Sequence, residues 1–324
     1  MVFEIAVFIA SVFVLSWLSS SFIKTLVEIA KYLRWREFIV AFFVMGFAAS
    51  LPNLFVDLSA ALQGLPEISF GDIIGGNLID LTLAMAIVVF FSRKGVSTDS
   101  KMIQGSSIFT FLIAVLPIFL IWTGKVTRID GVILILAFFV YAYWLFSKDD
   151  RYKKIYSKNR KESGTPKDRF IKFLKNLLKL AVLIIVLLIA AEEVIISAQY
   201  FSASLGISLG LVGLLIVALG NCFPETYFGI ISGRKEENWM VIGDMMGSII
   251  VCATLVLGII AVISPFEIRD MAPFMIARIF TVIAALFCLI FIRTDKHINK
   301  KEALLLIFIY LIFILSEIFF PHII

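Results

Sequence analysis

Charge is scarce in this chain. Only 16% of its 324 residues are charged, 61% are hydrophobic, and the mean hydropathy is +1.02. That balance excludes a soluble domain. Histidine is scarcer still. His297 and His322 both sit at the edges of apolar runs and do not make a histidine metal enzyme. Cysteine is limited to Cys222, Cys252 and Cys288, all inside apolar runs, so a disulfide framework is not expected. No basic leader or small-residue cleavage site accompanies the first apolar run, which reads as a retained first helix. No nucleophile–base pair or acidic cluster stands at a membrane edge, so an enzyme is not expected. The net charge of +5 is no nucleic-acid signal, because the basic residues are confined to particular loops.

Apolar runs of about 20 residues recur from end to end, the length of a membrane-spanning helix. The expected fold is an all-α integral membrane protein with ten spans. They fall near 3–30, 37–62, 68–92, 103–124, 127–147, 170–204, 208–232, 239–263, 272–293 and 301–320. The polar stretch 148–169 contains Ser163-Gly164-Thr165-Pro166 and reads as a flexible linker. It separates a first five-helix unit, 1–147, from a second, 170–324.

Of the 29 Lys and Arg, 25 fall on one side of these spans: in the 1–2, 3–4, 7–8 and 9–10 connections and in the linker region. That side is expected to be cytoplasmic, with both termini extracellular and the plasma membrane as the location. Five spans is an odd number, so the second unit must enter the membrane in the opposite direction. Two inverted repeats of this kind are the architecture of many secondary transporters.

A duplicated motif supports the repeat. Ala48–Asn53 read AASLPN and Gly220–Glu225 read GNCFPE; Gly71–Asp80 read GDIIGGNLID and Gly243–Cys252 read GDMMGSIIVC. Both pairs are offset by 172 residues. The first copy occupies 46–80 and the second 218–252. Pro52 and Pro224 remove backbone donors and free the carbonyls of Ala48 and Gly220, which in hydrocarbon need a partner. A bound cation is one such partner, and a kink capped by a neighbouring helix is the plain alternative. Ser50, Asn53 and Asp57 share one face of helix 2. Asn221, Cys222 and Glu225 surround the break in helix 7. Asp72, Gly76 and Asp80 stack on helix 3 beside Asn77, and Asp244, Ser248 and Cys252 stack on helix 8. A carboxylate at that depth costs several kcal/mol unless it is protonated, paired or metal-bound, and no Lys or Arg is expected near it. Oxygen ligands without basic partners favour Na⁺, Ca²⁺ or H⁺.

Several of these residues have two readings. Asp72 and Asp244, placed at the first turns of helices 3 and 8, serve either as helix-dipole partners or in the ion pathway. Gly71/Gly75 and Gly243/Gly247 are expected to allow close helix approach. Cys222 and Cys252 invite a soft-metal reading, against a packing role as small buried residues.

The two motifs resemble those of the cation/calcium antiporter superfamily, in particular its sodium/calcium exchanger branch. Its repeats carry G-T-S-x-P-E on helices 2 and 7 and G-N-x-x-G-S-N-x-x-[ND] on helices 3 and 8. The resemblance spans all ten helices and is specific in the two motifs. It implies that Glu225 is the ion-binding glutamate of the second repeat and that Asn53 replaces its counterpart in the first. Asp80 stands at an Asn/Asp ligand position, and Cys252 replaces an acidic or amide ligand. Ser50 and Ser248 keep hydroxyl ligands, while Cys222 and Gly76 have lost theirs.

The expected function is a secondary antiporter exchanging a divalent cation, Ca²⁺ first, for Na⁺ by alternating access. Glu225 and Asp80 would supply charge. Ser50, Asn53, Asn77, Asn221, Ser248 and the carbonyls of Ala48 and Gly220 would be neutral ligands, with Asp57, Asp72, Asp244, Cys222 and Cys252 as possible pathway residues. Proton coupling, and a non-transporting sensor or channel on the same scaffold, stand as alternatives. The expected partners are the lipid bilayer and inorganic cations, with no nucleic acid and no cofactor; the number of subunits is left open.

Overall fold

A computed structural model describes residues 1–33, 50–122, 124–147, 166–236, 238–268 and 271–319. Nine helices among the described residues are long and apolar enough to cross a membrane, and the shorter apolar helix Leu51–Leu62 completes ten. In chain order they are α1 (Val2–Tyr32), α2 (Leu51–Leu62), α3 (Pro66–Phe91), α4 (Lys101–Leu120), α5 (Arg128–Ser147), α6 (Pro166–Leu205), α7 (Leu209–Arg234), α8, α9 (Ala272–Thr294) and α10 (Lys300–Phe319). Helix α8 comprises Asn238–Ile250, Val251–Val256 and Leu257–Ile263. The first part of the expected second span, with Ala48, lies outside the described residues, as does most of the linker.

The offset of 172 runs through the whole fold. Leu51–Leu62 maps onto Phe223–Arg234, Met85–Phe91 onto Leu257–Ile263, and Arg128–Ser147 onto Lys300–Phe319, end for end. Four two-residue strands show how the halves are related: β1 (Val96–Ser97), β2 (Lys125–Val126), β3 (Phe266–Glu267) and β4 (His297–Ile298). β1 precedes α4 and pairs antiparallel with β4, which follows α9. β2 follows α4 and pairs antiparallel with β3, which precedes α9. The equivalent helices α4 and α9 therefore run in opposite directions. The repeat is inverted, and the two ribbons cap opposite ends of these helices.

Backbone strain is repeated too. Gly64 at φ +74° is matched by Glu236 at φ +60°, and Gly124 at φ +77° by Lys296 at φ +51°. Each closes a turn after a helix or before a strand, where a left-handed residue is required. Glycine enters that region freely, whereas a residue with a Cβ pays about 1–2 kcal/mol. Glu236→Gly is expected to raise stability by about 0.5–1 kcal/mol, measurable as a higher melting temperature in detergent. A lower melting temperature would mean that the Glu236 side chain makes a compensating contact.

Apolar packing divides into two clusters. The larger joins α3, α4, α5, α8, α9 and α10, with Leu78, Met85, Leu257 and Phe313 fully buried. The second joins Phe8, Val12, Leu15 and Phe22 of α1 to Leu183, Leu187 and Val194 of α6, and both to Phe55 and Val56 of α2. Lipid tails are as apolar as these side chains, so cohesion here comes from close packing rather than release of water. The tightest packing is between α3 and α7. A Cβ added at Gly71 would lie 2.2 Å from the Gly210 carbonyl oxygen, and one at Gly75 would lie 2.1 Å from that of Leu214. Gly243, the repeat mate of Gly71, faces open space within 4 Å. The expected symmetry of close approach does not extend to that position.

Candidate ion-binding site

Three spanning helices are interrupted by a π-turn: α3 at Asp80–Ala84, α7 at Gly213–Val217 and α8 at Val251–Val256. A π-turn adds one residue to the helical cycle and re-aims the side chains around it, a device frequent at functional sites. Asp80 opens the turn in α3, and its repeat mate Cys252 lies in the turn of α8. In both, a threonine hydroxyl two residues on donates back to a carbonyl of the preceding turn: Thr82 to Leu78 and Thr254 to Ile250. Sequence reading missed these turns.

Each proline opens a helical segment, Pro224 after a one-residue break inside α7. Phe223–Arg234 is a new helix after a turn at Cys222, and Leu51–Leu62 begins after Ser50; in each the proline is the second helical residue. There it needs no donor and its fixed φ favours the helix. Pro224 still offers no N–H to the Gly220 carbonyl. Phe8 and Val12 of α1 pack over Gly220, within 3.0 and 3.1 Å of where its Cβ would be.

Asp72 and Asp244 are not first-turn residues. Pro66 and Asn238 start their helices, so both acids lie more than a full turn inside. Helix-dipole capping is excluded for both. Asp72 is buried, and its Oδ2 accepts from Asn221 Nδ2 at 2.6 Å. Its carboxyl faces that of Asp57, which is 0% exposed and has no donor on either oxygen among the described residues. Two facing carboxyls must share a proton or a cation. Ser69 Oγ donates to the Asp57 backbone carbonyl at 2.8 Å, holding α2 against α3.

A second node lies one residue along α7. One ligand atom each from Asp80, Cys222 and Glu225 fall within 4.8 Å of one another, and all three residues are buried. Ser248 Oγ donates to Glu225 Oε1 at 3.0 Å, leaving Oε2 without a donor, and Asp80 Oδ1 is likewise bare. The Cys222 thiol has a long contact, 3.6 Å, with the Gly76 carbonyl. Asp244 is half-buried and close enough to Asp80 and Glu225 for their charges to interact.

The third node pairs the unequal repeat positions. Asn53 Nδ2 reaches Cys252 Sγ at 3.5 Å, with Ser50 beside them. Ser50 Oγ and Asn53 Oδ1 are buried without donors. Asn77 is also buried, its Nδ2 without an acceptor. Sequence reading grouped Glu225, Asp80, Asn53, Ser50, Asn77, Asn221 and Ser248 as one ligand set and kept Asp57, Asp72, Asp244, Cys222 and Cys252 apart as possible pathway residues. The geometry separates them into an Asp57–Asp72–Asn221 node, an Asp80–Cys222–Glu225–Ser248 node and an Asn53–Cys252–Ser50 node. Tyr310 of α10, missed entirely, is buried within electrostatic range of Cys222, its hydroxyl without a hydrogen-bond partner among the described residues. Its repeat mate is Phe138, so the duplication gave no sign of it; a lone tyrosine in an apolar helix was the only signal.

Among the described residues, none of Asp57, Asp72, Asp80, Glu225 and Asp244 is paired with a basic side chain. The ion pairs Lys125–Glu267 and Lys172–Glu28 lie on exposed surfaces. Counting from Phe91, Asp80 lies roughly 17 Å inside the helix end at 1.5 Å per residue, close to mid-membrane.

Comparison with known proteins bears directly on this arrangement. A family model described as sodium/calcium exchanger protein matches residues 3–147 and 175–319. Those two matches are themselves offset by 172. The sodium/calcium exchanger MaX1 of Methanosarcina acetivorans is 23% identical over 91% of this chain and 93% of its own length. The inner membrane protein YrbG of Escherichia coli is 24% identical over 77% of this chain and 78% of its own. Among solved structures, the sodium-calcium exchanger NCX_Mj soaked with Na⁺ and Sr²⁺ superposes with a TM-score of 0.62 at 21% identity, covering 97% of this chain and 98% of that one. The fold is thus shared with NCX_Mj, and the family match covers nearly the whole chain. The chain is a multi-pass membrane ion exchanger and not an enzyme, and it belongs to the sodium/calcium exchanger family.

Proposed function

We propose that the protein exchanges a divalent cation for Na⁺ by alternating access, with Ca²⁺ the divalent expected from its family. The observation that carries this reading is the set of buried carboxyl groups without basic partners where α2, α3, α7 and α8 meet. Carboxylates held in a membrane interior need a neutralising ion. Asp80 and Glu225 would supply the charge and Ser248 a neutral oxygen. Asn53, Ser50, Asn77 and Asn221 would complete the coordination in the adjoining nodes, with the carbonyls of Gly220 and Ala48. Helices α1 and α6, packed on the rest through their own apolar cluster, would cover and uncover the site. The basic connections favour an orientation in a plasma membrane with β1 and β4 on the cytoplasmic side and both termini outside.

Proton coupling is the second reading, favoured by the facing pair Asp57 and Asp72, which can hold a proton between them. Flux of ⁴⁵Ca²⁺ into proteoliposomes under imposed Na⁺ or pH gradients separates the two. Na⁺-driven uptake, reduced in Asp80→Asn, is expected. Uptake driven by pH and indifferent to Na⁺ would select proton coupling. Uptake without any counter-ion would point to a channel, and binding without flux to a sensor.

A further inference from the structure

Residue 222 sets this site apart chemically. Its repeat mate is Ser50, a hydroxyl, yet here a thiol stands between the two acids of the central node. Ligands at 2.0–2.3 Å around a tetrahedral ion lie about 3.3–3.8 Å apart. The Asp80, Cys222 and Glu225 donor atoms, all within 4.8 Å of one another, need only a small inward adjustment of their side chains to share one ion. Two of the donors are in need of a partner: Asp80 Oδ1 and Glu225 Oε2 are buried and bare. The thiol lies against the Asp80 carboxyl, and its other contact, with the Gly76 carbonyl, is 3.6 Å long.

The donor set is a poor match to Ca²⁺, which takes six to eight hard oxygens. Sulfur adds little to such an ion. A thiolate with two carboxylates suits a borderline-soft divalent ion that accepts four ligands, and the Ser248 hydroxyl beside Glu225 is placed to be the fourth. Cys252 is outside this node, held against Asn53. Cys288, on α9, is outside this node too, although it lines a small buried cavity together with Asp80.

We propose that Asp80, Cys222 and Glu225 form a mixed sulfur–oxygen site that binds Zn²⁺ or Cd²⁺ more tightly than Ca²⁺, making a thiophilic divalent cation a substrate of this exchanger. The proposal rests on reading this node as the transported cation's site. Cys222 would bind as thiolate, releasing its proton to solvent as the metal enters.

Cd²⁺ is a direct probe, because a thiolate–Cd²⁺ bond absorbs in the ultraviolet and Ca²⁺ produces no such band. Purified full-length protein titrated with Cd²⁺ is expected to show one such band per chain. Cys222→Ser should abolish it and weaken Cd²⁺ binding tenfold or more relative to Ca²⁺ binding. Cys288→Ala should keep the band. In proteoliposomes, ¹⁰⁹Cd²⁺ and ⁶⁵Zn²⁺ should exchange under the gradient that drives the protein, and Cys222→Ser should shift the preference toward ⁴⁵Ca²⁺. Serine restores the hydroxyl found at the repeat mate, and a melting curve like that of the wild type reports that the variant is folded. A Cd²⁺ affinity equal in wild type and Cys222→Ser, with ⁴⁵Ca²⁺ exchange intact, overturns the sulfur site and leaves the exchanger reading standing. A Cys222-dependent band with no gradient-driven flux of any divalent ion overturns the exchanger reading instead, and with it transport of the bound metal.

Discussion

Glu225→Gln is expected to abolish gradient-driven divalent flux, by about 10²-fold or more, while leaving the fold intact. The glutamate is 1% exposed, and only one of its carboxyl oxygens is engaged, by Ser248. Glutamine keeps that acceptor and the side-chain volume, so packing between α7 and α8 changes little. What it removes is a formal charge at a place where water cannot screen an ion. Losing one member of a buried charge–ion contact typically costs 2–5 kcal/mol, and each 1.4 kcal/mol is tenfold in affinity. The measurement is ⁴⁵Ca²⁺ or ¹⁰⁹Cd²⁺ uptake in proteoliposomes at matched protein density, beside a melting curve. Flux near the wild-type level would mean that the charge is carried elsewhere, and Asp57 with Asp72 would become the leading pair.

The same comparison shows how the charge is distributed. In the first repeat, the position equivalent to Glu225 is Asn53, which faces Cys252 rather than the carboxylate node. In the second repeat, the position equivalent to Asp80 is that same Cys252. Both neutral replacements thus meet each other, and both acids meet each other, across the pseudo-symmetry. The duplicated motif has been split into one charged node and one neutral node.

Much of the architecture was legible because the repeat preserves spacing. The apolar runs put every helix of the second half within a few residues of its observed start, and the offset from Pro52 to Pro224 tied the motifs of the two halves together. Charge in the loops also announced the inversion, which the strand pairs β1–β4 and β2–β3 bear out. The π-turns at Asp80 and Cys252 were not legible, and the reason is physical. A π-turn is read as a slip in apolar periodicity, but α3 and α8 are buried on nearly all sides and carry no periodicity to slip. The helix starts at Pro66 and Asn238 were misplaced by two residues and one, and counting the first turn too far along moved Asp72 and Asp244 into it. The separation of the ligands into three nodes depends on how α2, α3, α7 and α8 rotate about their axes. In helices without a polar face, the pattern of side chains does not specify that rotation. Tyr310 had a further difficulty: its repeat mate is Phe138, so duplication pointed away from it.

The second large effect is expected at the crossing of α3 and α7, where Gly71→Ala should destabilise the protein while Gly243→Ala should not. The two glycines are repeat mates in the same G-D dipeptide. A Cβ at Gly71 would sit 2.2 Å from the Gly210 carbonyl oxygen and 2.8 Å from the Leu214 backbone nitrogen. Backbone cannot rotate aside as a side chain can, so the helices must separate. Overpacking of a core costs about 1–3 kcal/mol when side chains can yield, and a backbone obstacle puts this change at or above the top of that range. Separation would also stretch the 2.6 Å bond from Asn221 to Asp72 and draw Cys222 away from Asp80, so transport should fall together with stability. At Gly243 the added methyl meets nothing within 4 Å, and alanine is the better helix former by up to about 1 kcal/mol. Melting curves of the two variants in one detergent test this, with flux as the second readout. A fall in melting temperature of several degrees for Gly71→Ala, and none for Gly243→Ala, is expected. Equal tolerance at both positions would show that α3 and α7 do not pack backbone to backbone, and that the polar nodes are held together by their hydrogen bonds alone.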